Sequence, residues 1–169
     1  MKLSKLRDAI IPAISAYSGH PVIMADDMGD KPTGPHATYK FITPYAKGVG
    51  QPEQEVVEVN GVTFLRTIDE YKTTISISSY AMDEDDSLEL AQSIYDWFAF
   101  DGVEKLQQLG IAVVEQTAIA NRDAFVIENY ERRNGFDVIL RIKRLKDLPI
   151  STIEHVEING VWYSKYGEE

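Results

Sequence analysis

The sequence predicts an α+β domain: a mainly antiparallel β-sheet with two helices packed on it and a projecting β-hairpin. Three observations carry that prediction. Apolar residues recur at helical spacing in two segments, one at the amino terminus and one between Ser87 and Phe98. From 71 to 81 the pattern changes to strict alternation, the period of a half-buried strand. Three Asn-Gly pairs, Asn60-Gly61, Asn134-Gly135 and Asn159-Gly160, lie between β-branched and aromatic runs, where their tolerance of positive φ suits a tight hairpin turn.

In chain order, Leu3, Leu6, Ile10, Ala13, Ile14 and Tyr17 fall every three or four residues and predict an amphipathic helix. Pro12 lacks a backbone donor and should kink it, and Gly19 followed by Pro21 should stop it. The polar, Gly- and Pro-rich stretch 26–35 reads as a loop. A strand follows from His36 to about Thr43, with Ala37, Tyr39 and Phe41 on one face and Thr38, Lys40 and Ile42 on the other. Residues 55–59 and 62–65 flank the first Asn-Gly pair as a hairpin, and the alternating run 71–81 forms a separate strand with a wholly polar or amphipathic second face.

Asp86 is placed as the N-cap of the next helix, with Glu89 three residues on and Leu88, Ala91, Tyr95 and Phe98 as the buried stripe. Asp101-Gly102 should break that helix. A short one over 103–109 ends at Gly110, and a strand returns over 111–115. Two more hairpins are expected, 125–130 with 136–142 about Asn134-Gly135, and 153–158 with 161–163 about Asn159-Gly160. A chain of 169 residues suits one packed core. The expected division is a domain over 1–158 and a terminal hairpin end and tail over 159–169.

Charge and composition narrow the functions. With 17 basic against 27 acidic residues the net charge is −10, which argues against sequence-specific DNA binding and suits a wall that DNA slides past without sticking. The absence of cysteine excludes disulfide scaffolds, thiolate nucleophiles and cysteine zinc sites. Charges interrupt the amino-terminal helix, so neither a signal peptide nor a membrane span is read there, and synthesis in the cytoplasm is expected.

Motifs for catalysis are missing. His20, His36 and His155 have no paired ligand spacing, and Asp26, Asp27 and Asp30 lack the regular oxygen ligands of a calcium loop. The stretch Lys47-Gly48-Val49-Gly50 opens no helix, and no serine stands in a nucleophile elbow. No catalytic, cofactor-binding or metal residue is therefore assigned, and no cofactor is expected.

The candidate residues are for contact. Tyr45, Val57, Val59, Val62 and Phe64 lie in the excursion expected to dock on a neighbouring subunit or a tube. Arg132 and Arg133, with Arg141, Lys143, Arg144 and Lys146 downstream, concentrate basic charge that an acidic neighbour would complement, or that a solvated strand edge would carry. Trp162 either caps a neighbour's surface or packs at the sheet edge. Asp83, Glu84, Asp85 and Asp86 are either a solvated helix cap or an acidic surface facing a DNA channel.

Several stretches together resemble the neck-terminator and tail-terminator (tail-completion) proteins of tailed bacteriophages. They are Pro32-Thr33-Gly34-Pro35-His36-Ala37-Thr38-Tyr39 entering the first strand, Leu90-Ala91-Gln92-Ser93-Ile94-Tyr95-Asp96-Trp97-Phe98, then Leu106-Gln107-Gln108-Leu109-Gly110-Ile111, and Tyr130-Glu131-Arg132-Arg133-Asn134-Gly135-Phe136-Asp137-Val138. The likeness covers about residues 1–158. It implies a structural virion protein whose domains form a ring, usually sixfold, capping the head-proximal end of the tail tube and joining it to the head connector. In contractile tails it also implies contact with the sheath. DNA would pass through without specific binding, no membrane is involved, and the family supplies no catalytic residues. Two other classes stay open: a small hydrolase using the sheet's polar face near the Asp26 loop, and an acidic monomeric binding module. A ring in solution favours the first class and a monomer at high concentration the others.

Overall fold

The computed structural model describes residues 2–27, 29–126, 129–151, 155–158, 161–164 and 167–168. Two compact units divide the chain: 1–49 with 70–144, and 50–69 with 145–169.

In the first unit helix α1 (Leu3–Ser18) buries Leu6, Ile10 and Ile14 completely and runs without a break through Pro12, which sits on its exposed side. Gly19 ends it in the left-handed conformation, φ 70°. Strand β1 (Val22–Met24) pairs parallel with β2 (His36–Lys47), Val22 opposite Ala37. Three residues are too few to show a period, so this strand is invisible to pattern reading. β2 lies antiparallel to β4 (Val62–Ala81), His36 opposite Tyr80 and Phe41 opposite Ile75, and two register irregularities carry the pairing on to Lys47 opposite Tyr71. Along β4, Tyr71, Thr73, Ile75, Ile77 and Ser79 are buried while Lys72, Thr74, Ser76, Ser78 and Tyr80 are half-exposed.

Helix α2 (Glu84–Asp96) is capped by Asp83, not Asp86: the Asp83 carboxylate accepts the Asp85 N–H at 2.8 Å. Glu84, Asp85 and Asp86 then occupy the first turn, where the helix dipole favours negative charge. The buried stripe is Ser87, Leu90, Ala91 and Ile94, and Leu88 is 42% exposed. Both stripes fit helical spacing; Ser87 wins because its hydroxyl joins a buried network with Ser79 and Asn134. A π-helical turn (Trp97–Asp101) follows, then Gly102, where a β-carbon would stand 2.6 Å from the Trp97 ring. Helix α3 (Val103–Gln108) ends near Gly110, φ 70°, and β5 (Ile111–Gln116) begins.

Strands β6 (Ala120–Asn121), β7 (Ala124–Val126) and β5 all pair antiparallel with β8 (Asn129–Pro149). Asn134-Gly135 is therefore not a turn. β8 runs straight through it, with Asn121 opposite Asn134 and Ala120 opposite Gly135. Val126 pairs with Asn129 instead, and residues 127 and 128 between them lie outside the described residues. The strand order is β1-β2-β4-β8-β5. Ile75, Ile77, Phe136, Val138, Leu140 and Ile142 meet Leu6, Ile10, Ile14, Leu90, Ile94, Phe98 and Leu106 in one core, so the helices cover that face of the sheet.

In the second unit β3 (Glu53–Val59) pairs with the first part of β4, from Glu53 opposite Ile68 to Val59 opposite Val62. Asn60 and Gly61 have φ of 51° and 76°, the two positive angles that a type I′ turn requires. The runs 62–65 and 71–81 are not separate strands but one. Ile150 N–H donates to the Thr63 carbonyl at 3.0 Å, and Arg66 grips Asp147 through two bonds of 2.8 Å. Strands β9 (His155–Ile158), β10 (Val161–Ser164) and β11 (Gly167–Glu168) form an antiparallel ladder, Ile158 opposite Val161. The Asn159-Gly160 pair that joins β9 to β10 lies outside the described residues. None of residues 50–69 and 145–151 of this unit is buried. No helix is long and apolar enough to cross a membrane among the described residues.

Candidate interaction surfaces

Register gathers four of the sequence-predicted contact residues. Val57 stands opposite Phe64 and Val59 opposite Val62, so all four share one face of the β3–β4 hairpin. Val59 and Val62 are 43% and 47% exposed. On the other face Val56, opposite Leu65, is exposed too, as are Leu145, Leu148 and Ile150 of the same unit. Val57, Phe64 and Leu65 are half-buried.

Tyr45 is not part of this set. It belongs to the first unit, half-exposed, its ring stacked on Tyr71 at 5.1 Å with the Arg144 guanidinium 6.0 Å from its centre. Arg132 and Arg133 are drawn inward by Asp123, which accepts from the Arg133 backbone N–H at 2.7 Å and from the Arg132 guanidinium at 2.9 Å. Those two donors, the backbone one foremost, hold the Asp123 carboxyl below its usual range. The Arg133 guanidinium also lies 5.0 Å from the centre of the Tyr80 ring. The Trp162 side chain lies outside the described residues. Asp83, Glu84, Asp85 and Asp86 stand together and exposed at the start of α2.

Two polar clusters escaped sequence reading. On the open sheet face Arg122, between β6 and β7, donates to Ser76 at 2.9 Å and to Asp137 at 3.0 Å, and the Ser76 hydroxyl donates to the same carboxylate oxygen at 2.6 Å. Burial pushes the Asp137 carboxyl up, but the Ser76 and Arg122 bonds outweigh it and leave the group below its usual range. On the core side the hydroxyls of Ser79 and Ser87 lie 3.2 Å apart and bond the backbone of α2, β4 and β8. Nothing in the local pattern marks either cluster, because their members are far apart in the chain.

A groove of about 380 Å³ lies between the π-helical turn, α3 and β5. Phe98, Leu106 and Ile111 form its buried floor, and Val103, Ala112 and Val113 its half-buried walls. Phe100, next in the chain to the lining Ala99, is 72% exposed.

Among the described residues no three His, Asp or Glu side chains gather to hold a metal ion. His36 is buried, its Nδ1 2.9 Å from the Gly34 carbonyl and its ring stacked flat on Tyr80, and His20, two residues past the end of α1, lines an open pocket with Asp86 and Glu89. What the fold offers is an α+β body with apolar and charged residues exposed on its surface. Residues 4–164 match the phage neck terminator proteins, and the chain belongs to that family. It is thus a structural component of the bacteriophage neck. Comparison with curated proteins gives no match.

Proposed function

We propose that six copies of this chain form a ring that caps the head-proximal end of the tail tube and joins it to the head connector. The observation that carries this reading is the second unit: none of residues 50–69 and 145–151 is buried, while valines, leucines and an isoleucine stand exposed there. Such surface persists in a soluble chain where a partner covers it in the assembly. In this reading Val57, Val59, Val62 and Phe64 form the docking face, and Tyr45, Arg132, Arg133 and Trp162 extend the contact. Asp83, Glu84, Asp85 and Asp86 face the channel, where carboxylates repel the phosphates of passing DNA and keep them from sticking. The protein is made in the host cytoplasm, and in a contractile tail it also meets the sheath.

Deleting residues 54–65 should leave the first unit folded, because every buried apolar residue described lies there. The shortened chain, supplied to a phage lacking the gene, should yield unjoined heads and tails under the electron microscope. Normal particles from the deletion would sink the proposal.

A further inference from the structure

We propose that the groove beside β5 receives segment 145–150 of a second copy; this deepens the ring reading above and rests on it. β5 ends the strand order, and no described strand covers its outer edge. Such an edge presents a row of unpaired N–H and C=O groups, and proteins usually blunt it with lysine or proline. β5 contains neither. Its Val114, within the bulge between Val113 and Glu115, is 45% exposed. Beside this edge runs the apolar groove floored by Phe98, Leu106 and Ile111. Exposed charges of both signs lie around it: Asp101, Glu104 and Glu115, with Lys105, Arg141 opposite Ala112, and Lys143 beside Gly110.

Segment 145–150 is apolar with basic flanks. Leu145, Leu148 and Ile150 are exposed, Arg144 and Lys146 flank the first of them, and the one carboxylate, Asp147, is already gripped by Arg66. An extended apolar strand end thus meets an apolar groove along an open edge, with Glu104 and Glu115 available to its Arg144 and Lys146, which is the geometry of strand addition. Donor and acceptor surfaces differ, so each copy gives one contact and takes another. A head-to-tail contact of this kind closes into a ring when its rotation permits.

Sedimentation of the full chain at low salt should show concentration-dependent rings. Val103→Glu places a charge in the groove at the first position of α3, where glutamate is compatible with the helix; Leu148→Glu places one on the arm. Each variant alone should lose self-association by about a hundredfold, with an unchanged thermal melt. Mixed, they should stop at a one-to-one dimer of near wild-type affinity, since the intact arm of the first fits the intact groove of the second. If Val103→Glu does not fold, the exposed pair Glu104→Lys with Glu115→Lys serves in its place. A wild-type chain that stays monomeric at millimolar concentration overturns the proposal, as does a mixture that stays monomeric. Rings untouched by either substitution overturn this contact and leave the terminator reading standing. Loss of binding to purified tail tube with self-association intact also overturns it, and assigns the groove to the tube protein. Rings that assemble as described but fail to restore a terminator-deficient phage count against the terminator reading instead.

Discussion

At Gly135 a β-carbon would collide with the carbonyl oxygen of Ile77 and crowd the Arg122 side chain at 3.0 Å. Asn-Gly is a local signal for a turn, but here the glycine answers a distant need, the close passage of β8 beside β4 under Arg122, and no window of sequence around it contains either partner. Gly135→Ala should cost about 1–3 kcal/mol in urea unfolding, the usual range for forcing a methyl into a packed site. Asp137 sits in the same cluster with its carboxyl below the usual range. A carboxylate lowered on folding contributes stability above its unfolded pKa, about 3.9, and that contribution is lost as pH falls through the lowered folded value. Asp137→Asn should therefore destabilise by about 1–2 kcal/mol at pH 7 and shrink the difference from wild type in melts taken progressively below about pH 4. An equal difference at pH 7 and pH 2 would contradict this account.

Elements were legible where local chemistry decides them. The β3–β4 turn follows from Asn60-Gly61, the α1 terminus from Gly19, and the polar face of β4 from its alternation. Gly61→Ala should weaken the hairpin by about 1–2 kcal/mol, the cost of a left-handed residue with a side chain, and amide exchange across 53–68 should quicken while that of β4 beyond Tyr71 stays unchanged. The continuity of β4 was not legible, because Arg66, Asp69 and Glu70 interrupt the apolar alternation. Arg66 finds Asp147 and Glu70 finds Arg141 at 3.5 Å, so charged residues occupy mid-strand positions with partners the sequence cannot point to. The cap of α2 moved from Asp86 to Asp83 for a similar reason: four acidic residues in a row offer several caps, and burial of Ser87 selects among them.

At the scale of the whole molecule, all the buried apolar residues described belong to one unit, while exposed ones occur on both. Native-state hydrogen exchange should report this as fast exchange in β3 and slow exchange in Ile75, Ile77, Leu140 and Ile142, with protection of β3 rising when the protein is incorporated in particles. The hairpin's apolar face was readable from four alternating apolar residues. The groove was not, since the π-helical turn that shapes it has no sequence signature beyond the Gly102 that Trp97 requires. β4 and β8, neighbours in the sheet, each continue from one unit into the other. Tension applied to the second unit would accordingly pass into the first along two covalent backbones, a path that only breaking peptide bonds could interrupt.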